Sequence, residues 1–338
     1  MSATDFFVPP SPYTAADVAA TASLTTGGNS QTLTISPANK IGLAAFAGEA
    51  GQRVNLGVTG VTIGTSGCCG LTIYVYKPDG TQLTSKAFGT TADALDMQLP
   101  VSGTYTFLID PAGVSTGNIT LTLSEEVNAG TIVSNGASLT TTIVRLGQRA
   151  RGTFDGSAGQ RVNLGVTGVT IGTSGCCGLT IYVYKPDGTL LTSKAFGTIA
   201  DALDMQLSVN GTYTFLIDPA GVSTGNITLT LSEEVNIGTL TVGGSAVTVG
   251  ITRLGQNARG TFSGTANQLV TVRITSNTIS NVTVKLLRPD GTTQTSSTSS
   301  AASFTLTQQT LATTGTYTVV VDPAGVNTGS LNVQVTSP

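Results

Sequence analysis

Residues 51–81 read GQRVNLGVTGVTIGTSGCCGLTIYVYKPDGT, and residues 159–189 repeat this stretch letter for letter. Within it, residues 71–76 alternate apolar side chains with threonine and tyrosine, the period of two that a β-strand with one buried face requires. The alternation ends at Pro78-Asp79-Gly80, where proline fixes φ and glycine supplies a positive φ. The stretch therefore predicts a strand followed by a tight turn, built twice in the chain.

The identity between the two copies extends well beyond this stretch. Residues 51–128 differ from the segment 108 residues further on at only four positions. A third, diverged copy shares the same landmarks. These are the turns at Pro78, Pro186 and Pro289, the Gly-Thr-Tyr triplets ending at Tyr105, Tyr213 and Tyr317, and the Asp-Pro-Ala-Gly turns beginning at Asp110, Asp218 and Asp322. Repeats of this length predict one supersecondary unit used three times.

The remaining alternating segments fix the expected fold class. Residues 104–109 and 118–123 also alternate with a period of two, and seven or eight short strands per copy are typical of an all-β sandwich. We expect three tandem antiparallel β-sandwich modules of jelly-roll or immunoglobulin-like type, over residues 28–130, 131–238 and 239–338, after an extended N-terminal tail, 1–27. The segments between modules contain no flexible Gly/Ser tract, which predicts a semi-rigid rod.

Composition excludes several classes of function. Charged residues make up 10% of the 338, with 15 Lys and Arg against 18 Asp and Glu, so no basic surface for nucleic acid is expected. The chain has no histidine, which removes Ser-His-Asp and Cys-His catalysis and histidine-ligated metals. No apolar run is long enough to span a membrane. We therefore expect a protein that is not an enzyme. The N-terminus lacks the pattern of a secretory signal peptide, which leaves the export route open.

The landmark sequences resemble a known family. The series GQRVNLGV, LTIYVYKPDGT, LDMQLPVSGTYTFLIDPAG and TGNITLTL is similar to the bacterial pre-peptidase C-terminal module, over roughly residues 40–124, 148–232 and 255–337. That resemblance implies a small β-sandwich of secreted and cell-surface proteins that serves as a spacer, stability or adhesive module. It also implies an extracellular location.

Some members of that family bind calcium, but the strand at residues 72–76 lacks the acidic residues that calcium-binding relatives carry there, so no cofactor is expected. The one candidate for calcium is the pair of acidic residues between modules, Glu125-Glu126 and Glu233-Glu234. Asp93 and Asp96, with Asp201 and Asp204, are interpreted as solvated residues of a strand rather than an acid/base pair, because residues three apart on a strand point to opposite faces.

The four cysteines occur as two adjacent pairs, Cys68-Cys69 and Cys176-Cys177, each flanked by glycine. Cysteine usage of this kind suggests an oxidising environment. Three interpretations stay open: cross-links between subunits, a vicinal disulfide within each pair, or thiols with no role. A site of four thiolates would need both loops at one point, which a rod does not allow.

The N-terminal tail contains an apolar cluster on a segment too short to fold alone. The cluster consists of Phe6, Phe7, Val8, Pro9, Pro10 and Tyr13. We expect it either to contact a neighbouring subunit, by strand addition or by filling a groove, or to pack on its own first module.

These features predict a structural subunit of an extracellular filament, sheath or surface layer that self-assembles through its tail and module surfaces. One alternative is an adhesive or polymer-binding stalk with a glycan or matrix ligand, although the chain has no tryptophan to form a sugar-binding platform. The other is a virion fibre or decoration protein, which the missing signal peptide favours.

Overall fold

A computed structural model describes residues 7–64, 69–172 and 177–337. In this part of the chain there are 28 β-strands, one short 3-10 helix at Ala15–Asp17 and no α-helix. The strands form three successive groups, here called the first, second and third repeats, and each group comprises two sheets. The all-β class predicted from the alternating pattern is confirmed.

The first repeat has nine strands. They are β1 (Val18–Ser23), β2 (Gln31–Ile35), β3 (Ile41–Gly48), β4 (Arg53–Thr59), β5 (Leu71–Tyr76), β6 (Gln82–Phe88), β7 (Asp93–Gln98), β8 (Gly103–Pro111) and β9 (Gly117–Glu125). One sheet has the order β1-β3-β8-β5-β6 and the other β2-β9-β4-β7. Neighbours in the sheets are distant in sequence, so most of the pairing is long-range.

The second repeat reproduces this arrangement. Its strands are β10 (Val127–Thr131), β11 (Leu139–Ile143), β12 (Ala150–Gly156), β13 (Arg161–Thr167), β14 (Leu179–Tyr184), β15 (Leu190–Phe196), β16 (Asp201–Gln206), β17 (Gly211–Pro219) and β18 (Gly225–Glu233). The sheet orders, β10-β12-β17-β14-β15 and β11-β18-β13-β16, match those of the first repeat strand for strand.

The third repeat differs along one sheet. Its strands are β19 (Val235–Thr239), β20 (Val247–Ile251), β21 (Ala258–Gly264), β22 (Leu269–Thr275), β23 (Val282–Leu287), β24 (Thr293–Ser299), β25 (Phe304–Thr305), β26 (Gln309–Thr310), β27 (Gly315–Pro323) and β28 (Gly329–Thr336). The single strand β16 of the second repeat is replaced by two strands of two residues each, β25 and β26, which both pair with β22.

Each repeat buries its own apolar core between its two sheets. The alternation predicted for residues 71–76 is confirmed, since Leu71, Ile73 and Val75 are buried and the residues between them are half-buried. Tyr105 is fully buried, and its hydroxyl donates a hydrogen bond to the Val101 carbonyl at 2.7 Å. Because a buried hydroxyl needs a partner, this bond explains the tyrosine of the Gly-Thr-Tyr triplet, and it recurs in the other two repeats.

The expected fold class, antiparallel β-sandwich modules in a rod behind an extended tail, is wrong for this chain. Each repeat has a mixed sheet, because its first strand pairs in parallel with its third. Residues 18–23, expected in the tail, form β1 of the first repeat. Residues 127–130, expected in the first module, belong to the edge strand β10 of the second repeat. The chain is a continuous stack of repeats in which each passes directly into the next.

The alternating pattern did not reveal β1 and β10 as strands of these sheets, because an edge strand pairs on one side only. β1 and β10 carry short or polar side chains with a weak half-buried, exposed pattern. Nothing in that pattern distinguishes an edge strand from a linker or a tail. No helix in the described part of the chain is long and apolar enough to cross a membrane.

Candidate functional site

The contacts between consecutive repeats bring together most of the interior charges of the chain. We call the contact between the first and second repeats the first junction, and that between the second and third the second junction. Arg145 donates from Nε to Ser124 Oγ at 2.8 Å and from Nη2 to the Gly28 carbonyl. Arg253 makes the same two contacts in the second junction, with Ser232 and Gly136. The two junctions therefore use one docking geometry.

Further hydrogen bonds repeat in the same way. Gln148 Nε2 donates to the Glu125 carbonyl at 2.8 Å, and Gln256 Nε2 donates to the Glu233 carbonyl at 2.9 Å. The backbone N–H of Arg149 donates to Asn55 Oδ1 at 3.1 Å, a contact that Asn257 and Asn163 reproduce at 3.0 Å. Backbone groups carry much of this interface, so its shape does not depend on the side chain at every position.

Both junctions also require glycine. A Cβ on Gly57 would collide with the carbonyl oxygen of Leu146, and a Cβ on Gly147 would lie 2.6 Å from Gly57 Cα and 2.9 Å from Ala94 Cβ. Gly165 meets Leu254 in the second junction as Gly57 meets Leu146 in the first. The loop of one repeat thus approaches the strand of the previous repeat more closely than any side chain would permit.

The charged centre of the first junction is Arg149, which joins two carboxylates from different repeats. Its Nη2 lies 2.7 Å from Asp96 Oδ2, and its Nε lies 2.7 Å from Asp218 Oδ1. Desolvation raises the pKa of both carboxyls, and the guanidinium beside them opposes that rise. Lys86 and Asp93 line the same cleft. The cleft thus holds three carboxylates and two cations, and the one guanidinium of Arg149 is shared between Asp96 and Asp218.

In the second junction the carboxylates have different partners. Asn257 stands where Arg149 stands in the first junction, so no guanidinium lies between Asp204 and Asp322. Asp204 accepts a hydrogen bond of 2.8 Å from Asn163 Nδ2, and burial raises its pKa. Asp322 is paired instead with Lys285, at 2.8 Å. The interpretation of the paired aspartates as solvated holds for Asp93 and Asp201, whose side chains are 45% and 43% exposed, and is wrong for Asp96, which is 20% exposed. Asp204 stays exposed on β16, although desolvation raises its pKa.

The corresponding carboxylate of the first repeat, Asp110, has a third kind of partner. The Tyr13 hydroxyl donates a hydrogen bond to Asp110 Oδ2 at 3.0 Å. Desolvation, followed by this bond to the carboxylate, raises the pKa of Tyr13 to about 12. The equivalent aspartates of the three repeats, Asp110, Asp218 and Asp322, are thus paired with a tyrosine, an arginine and a lysine.

The apolar part of the tail packs on its own chain. Phe7 and Tyr13 lie against the buried side chains of Ile41, Leu43 and Leu108. The other tail candidates are placed less deeply, since Val8 is 74% exposed, Pro9 and Pro10 are half-buried, and Phe6 lies outside the described residues. Of the two interpretations of this cluster, packing on its own repeat matches Phe7 and Tyr13.

The cysteine pairs are only partly described. Cys68 and Cys176 lie outside the described residues. Cys69 is exposed, and Cys177, which is disulfide-bonded, lines the cleft of the first junction. The cross-linking and vicinal-disulfide hypotheses stay predictions.

The glutamates between repeats meet arginines. Glu126 Oε1 lies 2.6 Å from Arg151 Nε and 4.0 Å from Arg53 Nε. Glu234 is held in the same way, by Arg259 at 2.9 Å and Arg161 at 3.9 Å. Guanidinium groups lie beside Glu126 and Glu234, whereas Glu125 and Glu233 are exposed. Among the described residues, no three Asp, Glu or Cys side chains are grouped as metal ligands.

Sequence reasoning missed the residues that form the junctions. Arg145, Gln148 and Arg149 precede β12, in a segment without alternation or motif. The available signal was the recurrence of Arg145 and Gln148 as Arg253 and Gln256 in the third repeat, much of which has diverged; Arg149 does not recur, because Asn257 replaces it.

No family model and no curated protein matches the chain. Among solved structures, it is similar to the pre-peptidase C-terminal domain of a Bacillus anthracis collagenase, at 14% identity over 31% of this chain and 95% of that one, with a TM-score of 0.25. It is also similar to PliG, a periplasmic inhibitor of g-type lysozyme from Aeromonas hydrophila, at 16% identity over 32% and 98%, with a TM-score of 0.23. At these scores the likenesses carry no argument about fold or function.

Proposed function

We propose that this chain is a structural subunit of an extracellular filament, sheath or surface layer, in which the stacked repeats act as a stiff spacer. The observation that carries the proposal is the length of the connection between repeats. β9 ends at Glu125 and β10 begins at Val127, so a single residue, Glu126, separates strands of two repeats. Glu234 alone separates β18 from β19.

That single residue is held in place. The side chain of Glu126 is 9% exposed and paired with arginines from the first and the second repeat. A connection of one residue, immobilised by its side chain, leaves no segment that can act as a hinge. The glycine contacts on the other side of the junction add a second point of attachment. Stiffness across both junctions is the property that a spacer needs.

The chemistry of the clefts also favours a structural role. In the first junction Arg149 is shared by two carboxylates, and Glu126 and Glu234 are each paired with two arginines. A general acid or base needs a titratable group aimed at a substrate. Here the buried charges face one another across an interface, which is the arrangement of a structural joint.

Two measurements test the proposal. Small-angle X-ray scattering on the purified chain is expected to match one rigid conformation, with no added flexibility between repeats. Electron microscopy across a range of protein concentrations is expected to show ordered assemblies. A chain that scatters as three loosely tethered bodies would remove the spacer role, and one that stays dispersed at every concentration would remove the assembly role.

A second candidate, an adhesive or polymer-binding stalk, is favoured by one observation. Each junction has a polar groove beside its glutamate, lined in the first by Gln52, Arg53, Asn128 and Arg151, with matching residues in the second. Two like grooves at a fixed spacing suit a repetitive polymer. Saturable binding to a glycan array, lost in Arg53→Ala/Arg161→Ala, would favour this function over the first.

A further inference from the structure

Docking of one repeat on the next requires glycine at two positions, and only the faces that meet inside the two junctions have it. Each repeat has an exit face, which receives the next repeat, and an entry face, which docks on the previous one. The exit face needs a glycine at Gly57 or Gly165, and the entry face needs a glycine at Gly147 or Gly255, because a Cβ at any of these positions would meet the facing repeat within 3 Å. A side chain at either position is incompatible with docking.

The exit face of the third repeat carries such a side chain. Arg273 pairs with Gln334 in β28 at the register where Gly165 pairs with Thr230 in β18. Arg273 is exposed and belongs to the strand face that the second repeat presents to its neighbour. In the third repeat Thr305 is the cross-strand partner of Arg273. In the second repeat the partner of Gly165 is the smaller Ala202. An incoming loop would meet the arginine at its point of closest approach.

The entry face of the first repeat is altered independently. Asn39 stands where the other repeats have Gly147 and Gly255, and it keeps their left-handed backbone, with φ of 62° against 73° and 74°. The loop therefore has the same path with a side chain added at the contact. Pro37 replaces the arginine that docks as Arg145, which removes both of its hydrogen bonds.

The tail covers what remains of this entry face. Tyr13 is bonded to Asp110, and Lys40 Nζ donates to the Ala16 carbonyl at 2.6 Å. Asp218 is the equivalent of Asp110 in the second repeat. It is paired with Arg149, which is also paired with Asp96 of the preceding repeat. The tail therefore occupies the place that a preceding repeat would take.

We propose that the chain closes its own stack at both ends, so that a second copy of this chain cannot dock end to end through the junction that joins its repeats. Arg273 closes the exit end, and Asn39 with the tail closes the entry end. Assembly of this chain must then use its lateral surfaces. This inference rests on the junction geometry and does not depend on the proposed function.

The first test places the block inside the stack. Gly165→Arg copies Arg273 into the second junction. Gly250→Arg is the matched control, because Gly250 is exposed on β20 and a Cβ there has no neighbour within 4 Å. We expect Gly165→Arg to increase the maximum dimension in X-ray scattering and to speed proteolysis near residues 233–241, with Gly250→Arg unchanged. An undisturbed junction in Gly165→Arg would overturn the proposal.

The second test opens the ends. One variant, Thr271→Asn/Arg273→Gly, restores the exit face, and another, Pro37→Arg/Asn39→Gly/Tyr13→Ala, restores the entry face. Each alone is expected to sediment like the wild type, while an equimolar mixture is expected to show a species of doubled mass. A mixture that sediments like its components would show that these residues do not close the ends, as would end-to-end cross-linking of the wild-type chain. Neither result bears on lateral assembly, so the proposed function is tested separately.

Discussion

The two junctions share one backbone geometry and differ in how they neutralise charge. In the first, Arg149 bridges carboxylates of both repeats, while in the second Asn257 replaces it and Lys285 neutralises Asp322 from a different strand. The hydrogen bonds from Arg145 and Arg253, and the glycine contacts, are the same in both. Backbone approach therefore fixes the shape of these interfaces, whereas the residue that supplies the compensating cation differs between them.

Removing the bridging cation should produce the largest difference between the junctions. In Arg149→Ala, two carboxylates that are 20% and 21% exposed lose their counterion. Breaking a largely buried ion pair from one side leaves an uncompensated charge, so we expect a loss of about 2–3 kcal/mol in the free energy of unfolding. Urea denaturation of the whole chain at neutral pH measures this loss.

Asn257→Ala is the control, because it truncates the corresponding residue of the second junction. It removes an uncharged side chain, and we expect a cost of about 1 kcal/mol or less. The deficit of Arg149→Ala should also shrink on acidification, since Arg149 holds down the pKa of Asp96 and Asp218, and protonation removes the charge. Equal losses in the two variants at neutral pH would contradict the assigned role of Arg149.

The strands that carry the core were predictable, because their alternation reflects direct burial. The period of two in residues 71–76 corresponds to β5, and the turns at Pro78, Pro186 and Pro289 follow β5, β14 and β23. The edge strands were not predictable, because β10 has one pairing partner and no fully buried face. Which segment belongs to which repeat is decided by pairing with residues some twenty positions away, and no local pattern records that.

A smaller effect should follow from neutralising the carboxylate that lacks a bridging cation. Burial raises the pKa of Asp204 above 3.8, so its charged form disfavours the folded state at neutral pH. In Asp204→Asn the amide oxygen can still accept from Asn163. Because solvent screens a carboxylate that is exposed on β16, we expect the variant to be more stable than the wild type by at most about 1 kcal/mol at pH 7. That gain should shrink as the pH falls through the raised pKa of Asp204 and vanish well below pH 3.8, where Asp204 is protonated in both the folded and the unfolded wild type.

The matched control is Asp201→Asn, three residues earlier on the same strand. Asp201 is 43% exposed and paired with Lys194 at 2.7 Å, so its neutralisation should slightly destabilise the chain. Thermal unfolding from pH 3 to pH 8 separates the two variants. If Asp204→Asn were less stable than the wild type at pH 7, the charge of the Asp204 carboxylate would stabilise the folded state, which would contradict this prediction.

The tail provides the next comparison, since Tyr13 serves Asp110 with a hydroxyl in place of a cation. Tyr13→Phe keeps the ring against Ile41 and removes the bond, which should cost about 0.5–1 kcal/mol. Because the pKa of Tyr13 is raised from 10.0 to about 12, its contribution is complete below pH 10 and is lost as the pH rises to 12. Urea denaturation at pH 8 and pH 11.5 should show the wild type converging on the variant; a constant difference would exclude the bond.

The aspartate pairs show why the sites were harder to predict than the strands. Opposite faces of β7 were expected for Asp93 and Asp96, and solvent was expected on both. Solvent is present beside Asp93, but another repeat covers Asp96, and its partner Arg149 lies 53 positions away. Strand periodicity specifies which way a side chain points, whereas the contact between repeats specifies what it meets.

The smallest expected effect concerns the displaced cation itself. Lys285→Met leaves Asp322 without its partner, but the pair is 37% and 28% exposed, so the loss should be about 0.5 kcal/mol. Adding Asn257→Arg to this variant places a guanidinium where Arg149 stands in the first junction, between Asp204 and Asp322. Because backbone docking is the same in both junctions, we expect the double variant to regain at least the lost stability, measured by urea denaturation. A double variant no more stable than Lys285→Met would mean that the two junctions differ in shape as well as in charge, and that the cation cannot be moved between strands.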